Sequence, residues 1–128
     1  MANIVGTQEL VNGPRHLVIK LDIEGDGTGE INELLANMDN YDCPEVRLDA
    51  INGQMEGFTL RLFWDGTTEV PLFPIYPGYN IDYNWEDPQG QINPKMTGYT
   101  GDVRIRSTGL DNGDTASLRF DFFKKRIP

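Results

Sequence analysis

The sequence is poor in the residues that build catalytic and metal centres. Its 128 residues include one cysteine, Cys43, and one histidine, His16. A single cysteine excludes an internal disulfide, and one residue of each kind does not complete a structural zinc site. His16 is the one histidine that can act as a base for a nucleophile, yet neither Cys43 nor any serine lies in a nucleophile elbow. The sequence therefore predicts a protein that is not an enzyme and that needs no cofactor.

Long apolar runs are also missing. The longest uninterrupted apolar stretch is only a few residues, far below the length of a transmembrane helix. The N-terminal residues lack the basic stretch and the apolar core of a secretory signal. We therefore expect no membrane contact, and synthesis in the cytoplasm without later secretion.

Basic residues are scarce relative to acids, and the imbalance is local. The formal net charge is −9, from 11 basic and 20 acidic side chains. Ten of the acids lie between Asp22 and Glu56 with Arg47 as the one base, and the rest of the chain is balanced. An acidic surface repels phosphate backbones, so we expect no nucleic acid partner. The acidic segment is a solubilising surface or, alternatively, a face for a basic partner.

Alternation of apolar and polar residues with a period of two is abundant, and it is typical of half-buried β-strands. It is clearest at residues 15–24, where Leu17, Ile19, Leu21 and Ile23 share one face. The 14 glycines and 8 prolines predict many turns between short elements. The pattern predicts strands at residues 4–11, 15–24, 45–51, 58–65, 70–75, 79–85, 102–107 and 116–122.

The order of these elements predicts the fold class. Seven or eight short strands separated by turns are typical of an all-β, antiparallel β-sandwich or jelly roll. Pro71 and Pro74 place their strand at a sheet edge, because proline donates no hydrogen bond to a ladder. Residues 31–38 contain the helix-forming Glu-Leu-Leu-Ala, so we expect at most one short helix. We expect residues 1–128 to form a single domain, with residues 1–12 as a candidate extended N-terminal arm.

An acidic turn matches the ligand spacing of a calcium-binding loop. Asp22, Glu24, Asp26 and Glu33 fall at positions 1, 3, 5 and 12 of an EF-hand loop, and Gly27 stands at the sharp turn. The longer glutamate at position 3 and the flanking strands depart from that motif. A solvated acidic turn explains the spacing better, so we expect no metal and keep these four acids as a weak calcium candidate.

Four aromatic residues crowd one short region: Tyr76, Tyr79, Tyr83 and Trp85. Aromatic side chains with a polar atom are favoured at interfaces and stack on sugars. Core packing, a protein interface and a sugar-binding platform all remain open. The alternation of Tyr79, Tyr83 and Trp85 onto one face of a strand favours core packing.

Both ends of the chain are candidate partner contacts. Ile4 and Val5 belong to an apolar, β-prone start, whereas Lys124, Lys125 and Arg126 close the chain with positive charge. A basic end and an acidic middle give a polarity that orients one subunit on another. A frayed basic tail is the alternative.

Six segments in a fixed order resemble a family of small proteins encoded by tailed bacteriophages. The resemblance covers nearly the whole chain, and it depends on the order and spacing of the segments. The segments are VNGPR (11–15), GDGTG (25–29), GFTLRLFWD (57–65), TGYTGDV (97–103), STGL (107–110) and FFKKR (122–126). The chain departs from the commoner pattern at residues 31–38 and 76–85.

The resemblance implies a structural component of a phage particle and brings no catalytic residues with it. We expect a capsid decoration (cement) protein that binds the major capsid protein, stabilises the shell and is located in the virion. A β-edge or the N-terminal arm is the expected contact, with a homo-oligomer on the particle as one arrangement. Two alternatives stay open: a neck, collar or tail component, and a carbohydrate- or host-surface-binding module.

Overall fold

The computed structural model describes residues 3–41, 43–85, 94 and 98–125. These residues contain nine antiparallel strands and a short 3-10 helix, Met38–Asn40. The strands are β1 (Ile4–Asn12), β2 (His16–Glu24), β3 (Asn32–Ala36), β4 (Glu45–Glu56), β5 (Thr59–Gly66), β6 (Val70–Ile75), β7 (Gly78–Asn84), β8 (Tyr99–Thr108) and β9 (Thr115–Lys125). The predicted all-β fold is confirmed.

The strands form two sheets with jelly-roll connectivity. One sheet has the order β1-β2-β9-β4-β7, and the other has the order β3-β8-β5-β6. The pairs β2–β9, β3–β8, β4–β7 and β5–β6 nest inside one another, as in a long double ribbon. The ribbon is rolled up so that β9 also pairs with β4 and β8 also pairs with β5. This arrangement is the jelly-roll form of the predicted β-sandwich.

The core lies between the inner faces of the two sheets. In β2, the alternate residues Leu17, Ile19 and Leu21 are almost fully buried, as the period-two pattern predicts. They face side chains such as Leu62 and Trp64 of the second sheet, which belong to the same buried cluster. In the part of the chain that is described, no helix is long and apolar enough to cross a membrane.

Two prolines mark the edge of the four-stranded sheet. Strand β6 carries Pro71 and Pro74 and stands at the end of that sheet, next to β5. Proline has no backbone N–H, so it is tolerated where a strand has a neighbour on one side. The predicted edge position is confirmed.

Most of the candidate helical segment 31–38 forms a strand, and the described residues contain one short 3-10 helix, in agreement with the expectation of at most one. Asn32–Ala36 forms β3, which pairs with β8 and makes a ninth strand where seven or eight were predicted. Leu35 and Ala36 are buried there, so pairing and burial outweigh a helical preference worth a few tenths of a kcal/mol per residue. The helical turn forms just beyond, at Met38–Asn40, where the side chain of Asn37 accepts a hydrogen bond from the backbone N–H of Asp39.

Residues 4–12, part of the candidate N-terminal arm, are folded onto the sandwich. They form β1, which pairs with β2 along its whole length apart from a bulge at Leu10. The hairpin between the two strands closes with a hydrogen bond of 2.9 Å from Gly13 N to the carbonyl of His16. The arm is therefore the outer strand of the five-stranded sheet.

Phe120 offers a test of the core. Its side chain is fully buried in β9, between β2 and β4. We expect Phe120→Ala to lower the free energy of unfolding by about 3–5 kcal/mol, because it leaves a cavity where two ladders meet. The measurement is urea denaturation followed by tryptophan fluorescence. Tyr79→Ala, at a ring that is 72% exposed, is the control and should change stability by less than about 0.5 kcal/mol.

Candidate functional site

The acids of the candidate calcium loop do not converge. Asp22 and Glu24 lie on exposed positions of β2, and Glu33 lies in β3 of the other sheet. The carboxylate of Asp26 accepts hydrogen bonds from the backbone and hydroxyl of Thr28 at 3.0 and 2.6 Å. Within the described residues, no group of three acidic, histidine or cysteine side chains is placed to hold a metal ion.

Glu30, from the same acidic segment, has a structural role instead. Its carboxylate accepts hydrogen bonds from Ser107 Oγ at 2.7 Å, from Gly109 N at 2.8 Å and from Leu110 N at 3.0 Å. The hydrogen bond from Ser107, together with those from the two backbone N–H groups, lowers the pKa of Glu30. Glu30 therefore ties the β2–β3 loop to the turn between β8 and β9.

Close backbone packing holds the same loop. Gly25 N donates to the carbonyl of Asp114 at 2.8 Å, and Gly113 N donates to the carbonyl of Gly25 at 3.0 Å. A Cβ atom at Gly25 would stand 2.2 Å from the carbonyl oxygen of Asp111, so only glycine fits there. The glycine-rich turn of the sequence is explained by this contact between two loops.

The four aromatic residues separate into two pairs. Tyr83 and Trp85 stack with ring centroids 5.8 Å apart, and Phe73 of β6 meets both rings edge-on at 4.8 and 4.7 Å. These three rings pack against the core between the last strands of the two sheets. Tyr76 and Tyr79 are exposed. The four side chains therefore do not form one exposed platform.

Lys124, the first residue of the basic end, is buried in the fold. Lys124 is only 5% exposed, its amine donates to Asn12 Oδ1, and it lies 5.9 Å from the ring centroid of Tyr41. Lys125 ends β9, and Arg126 lies outside the described residues. The predicted partner contacts at Lys125 and Arg126 therefore stay predictions. Lys124 fastens β1 to the sandwich.

Strand β1 is exposed on both faces. Val5 is partly packed against the core, but Ile4, Leu10 and Val11 are exposed apolar residues. The five-stranded sheet has one strand more than its partner sheet, and β1 stands at its end. Its outer edge has no neighbouring strand among the residues that the structure describes. The backbone groups along that edge are a template for another strand.

Both ends of β1 are fastened. At the start, Asn3 donates to the carbonyl of Gly29 at 2.8 Å and accepts from Asp26 N at 2.9 Å. At the end, Asn12 binds the amine of Lys124. The strand is thus held in an extended conformation although few of its side chains are buried.

Tyr41 packs beside the same strand. Burial, and secondarily the negative charge of Glu9 in β1, raises the pKa of Tyr41 to about 12. The phenol therefore stays neutral until strongly alkaline pH. The contribution of the neutral phenol to the stability of the fold is fully present below pH 10, the ordinary pKa of tyrosine. It is lost as the pH rises through the raised pKa of about 12.

The other outer strands carry features that discourage strand addition. Strand β6 has two prolines, β3 has five residues and a bulge, and β7 has an irregular register with β4. Strand β1 has nine residues, no proline and no lysine, and its one bulge, at Leu10, leaves residues 4–9 in regular register with β2. Short length, proline, lysine and bulges are the usual protections of a sheet edge. The β1 edge is the least protected of the four.

A trough crosses the outer face of the five-stranded sheet. It has a volume of about 370 Å³. Its floor is one row of directly paired residues, one from each strand. The row is Val11, Val18, Asp121, Ala50 and Asn84.

Longer side chains stand on the two sides of this floor. Arg119 lines the trough on one side, in a row where it pairs with Lys20. His16 lines it on the other side, in a row that continues with Phe123 and Arg47. No pattern along the chain predicts this site, although Val18, an apolar residue at an outward position of β2, is a signal for it.

The chain matches no protein-family model and no curated protein sequence. The resemblance to phage virion proteins therefore stays a prediction. What the structure defines is the class: an antiparallel β-sandwich with jelly-roll strand order and one additional edge strand.

Glu30 gives a prediction with a defined pH dependence. Because its pKa is lowered in the folded state, its contribution to stability is present above the ordinary value of 4.5 and is lost as the pH falls through the lowered pKa. We expect Glu30→Gln to lower the free energy of unfolding by about 1 kcal/mol at neutral pH, after allowance for solvent screening. Urea denaturation at several pH values measures this.

The matched control for Glu30 is Glu33→Gln. Glu33 is exposed in β3, and its side chain makes no hydrogen bond or ion pair within the described part of the chain. Its substitution should leave stability nearly unchanged. Equal effects of both substitutions, or an effect of Glu30→Gln that persists at acid pH, would contradict the role given to Glu30.

Proposed function

We propose that this chain is a non-enzymatic structural protein of a bacteriophage virion, and specifically a capsid decoration protein that binds the major capsid protein and stabilises the shell. The observation that carries the proposal is the β1 edge, which is long, held at both ends and free of proline and lysine. Strand addition to such an edge gives affinity through backbone hydrogen bonds alone. The β1 edge is therefore the proposed contact with the shell.

Several features of β1 favour this contact. The exposed Ile4, Leu10 and Val11 give a docking strand apolar surface beside the backbone ladder. Glu9 is the single charged residue of the strand, so repulsion against a partner strand is small. Because the ends of β1 are already fastened, little conformational entropy is lost on docking.

The jelly-roll fold is compatible with the same proposal but does not single it out. Jelly rolls occur in viral capsid proteins, but also in lectins and cupins, so the architecture alone does not assign a role. A decoration protein is present in many copies on one particle. Weak individual contacts then suffice, because neighbouring copies and a repeating lattice raise the effective concentration.

A neck, collar or tail component is the alternative within the same class. It would use the same kind of edge contact, but at the few positions of a connector rather than across a shell. Copy number separates the two: hundreds of copies for a shell protein, and one or two dozen for a connector ring.

The first test is the presence and copy number of the chain in purified virions of the virus that encodes it. We expect quantitative mass spectrometry to find the chain in numbers comparable to those of the major capsid protein. Absence from purified particles would contradict the proposal. A copy number of one or two dozen would indicate a neck, collar or tail component instead.

A substitution tests the edge itself. Thr7 is exposed in the middle of β1, and a lysine there is a usual device against strand addition. We expect Thr7→Lys to weaken binding to particles that lack the protein by about tenfold or more, with the fold intact. Sedimentation of the purified protein with such particles measures the binding.

Thr68→Lys is the matched control for this substitution. Thr68 is exposed in the turn between β5 and β6, so the same change of residue and charge falls away from β1. It should bind as the unaltered protein does. If Thr7→Lys also binds normally, the edge of β1 is not the contact.

A further inference from the structure

We propose that the trough across the outer face of the five-stranded sheet binds a neutral oligosaccharide, with Asp121, Asp49 and Arg119 as its main polar contacts. This site is separate from the β1 edge and does not depend on the proposed role in a virion. The shape of the trough, its charge balance and the kinds of atom that line it support this ligand class.

The shape of the trough is set by one row of short side chains between two rows of long ones. Five neighbouring strands contribute one floor residue each, so the floor runs for about 19 Å at right angles to the strands. The wall rows stand about 7 Å to either side, two residues away along each strand. A narrow, elongated trough of this kind fits a short linear chain of sugar rings lying across the strands.

The floor has one exposed apolar residue beside its polar groups. Val18 and Ala50 are both less than one-tenth exposed and close the bottom of the trough, whereas Val11 of β1 is exposed. An exposed apolar side chain suits the C–H face of a sugar ring.

The polar groups of the trough are arranged as pairs of acceptor and donor. Arg119 Nε donates to Asp121 Oδ1 at 3.0 Å, and Arg47 Nε donates to Asp49 Oδ1 at 2.8 Å. These pairs fix the orientation of both carboxylates and both guanidinium groups. A sugar hydroxyl both donates and accepts, so neighbouring hydroxyls can bind a carboxylate and a guanidinium side by side.

The same pairs explain why the ligand is neutral. Each carboxylate of the trough is balanced by an arginine, so the four groups carry no net charge. A phosphate chain would meet Asp49 and Asp121 in the trough, which argues against nucleic acid. A strongly basic ligand would meet Arg47 and Arg119 instead.

An extended peptide is a poorer fit than a glycan. Peptides in extended form commonly bind by adding a strand to a sheet edge, through backbone hydrogen bonds. On the face of a sheet the backbone N–H and C=O groups are already used in the ladders on either side. Recognition in the trough therefore depends on side chains, and these are of the kind that bind hydroxyl groups.

The ring of Phe123 holds two side chains of one wall row in a fixed orientation. Arg47 lies over the ring of Phe123, 4.3 Å from its centroid, and His16 meets the same ring edge-on with centroids 5.6 Å apart. The exposed imidazole of His16 stands at the β2 end of this wall. The single histidine of the chain thus has a place as a side wall for a sugar ring.

The experiment is titration of the full chain with neutral hexasaccharides of glucose, mannose and N-acetylglucosamine, each up to millimolar concentration. Backbone amide shifts in NMR spectra report both the affinity and the residues affected. We expect at least one series to bind and to shift the amides of the trough, with Val18, Ala50 and Asp121 among them. No shift with any series at millimolar concentration overturns the proposal.

Substitutions locate the site. Asp121→Asn keeps the shape of the side chain but removes the charge, and we expect it to weaken binding by about tenfold. Ala50→Arg fills the floor and should abolish binding. Asp39→Asn, at an exposed acid of the 3-10 helix, is the matched control and should bind normally.

Tyr79→Ala separates the trough from the exposed tyrosines. Binding that is lost in Tyr79→Ala but kept in Asp121→Asn overturns the proposal, since the sugar then binds at the aromatic residue. A hexalysine peptide that binds the trough in preference to every glycan also overturns it. If Ala50→Arg fails to fold, Asp121→Asn and the map of shifted amides still decide the outcome.

Discussion

The structure depends on β9, the strand that closes the jelly roll. It pairs with β2 on one side and with β4 on the other, and its inward residues Leu118, Phe120 and Phe122 are almost fully buried. Phe120 is the register partner of both Ile19 and Ile51, which lie far from it in the sequence. Such non-local pairing requires much loop-closure entropy to be lost before the contacts form, so the fold is expected to form slowly. Without β9, β2 pairs only with β1 and β4 pairs only with β7, so the five-stranded sheet is divided.

The unequal number of strands in the two sheets determines what is left exposed. Four strands cover the inner faces of four others, and β1 extends beyond them. Burial of apolar side chains therefore contributes little to holding β1, and its ladder with β2 and the two asparagine contacts at its ends hold it instead. A strand held in this way keeps its outer backbone groups fixed, and no strand of the described residues pairs with them. The position of β1 beyond the second sheet is therefore the reason why its edge is both preorganised and exposed.

Much of the fold could be predicted from the sequence, because the period-two pattern records which side chains face the core. The eight predicted strands are all present, and Pro71 and Pro74 correctly marked an edge. The pattern failed at β3, where Glu33 and Leu34 sit in a strand whose formation depends on β8. Local preference cannot report a partner that is distant in the sequence.

The candidate sites were less accessible to sequence reasoning, for a related reason. The trough is a row across five strands, and its members Val18, Ala50 and Asp121 have no recognisable spacing along the chain. Likewise, the basic end looked available for a partner, but Lys124 faces inward on β9 and meets Asn12. Both features follow from strand register, which the pattern of one strand does not contain.

The edge and the trough place different demands on the same sheet. Strand addition at β1 uses backbone groups in the plane of the sheet, whereas the trough uses side chains above that plane. The two meet only at Val11, which belongs to β1 and also ends the floor of the trough. A strand docked on β1 would continue the row of floor residues by one position, about 4.8 Å further. One molecule can therefore be anchored by its edge while the trough stays open, and anchoring would lengthen the surface available to a sugar chain rather than cover it.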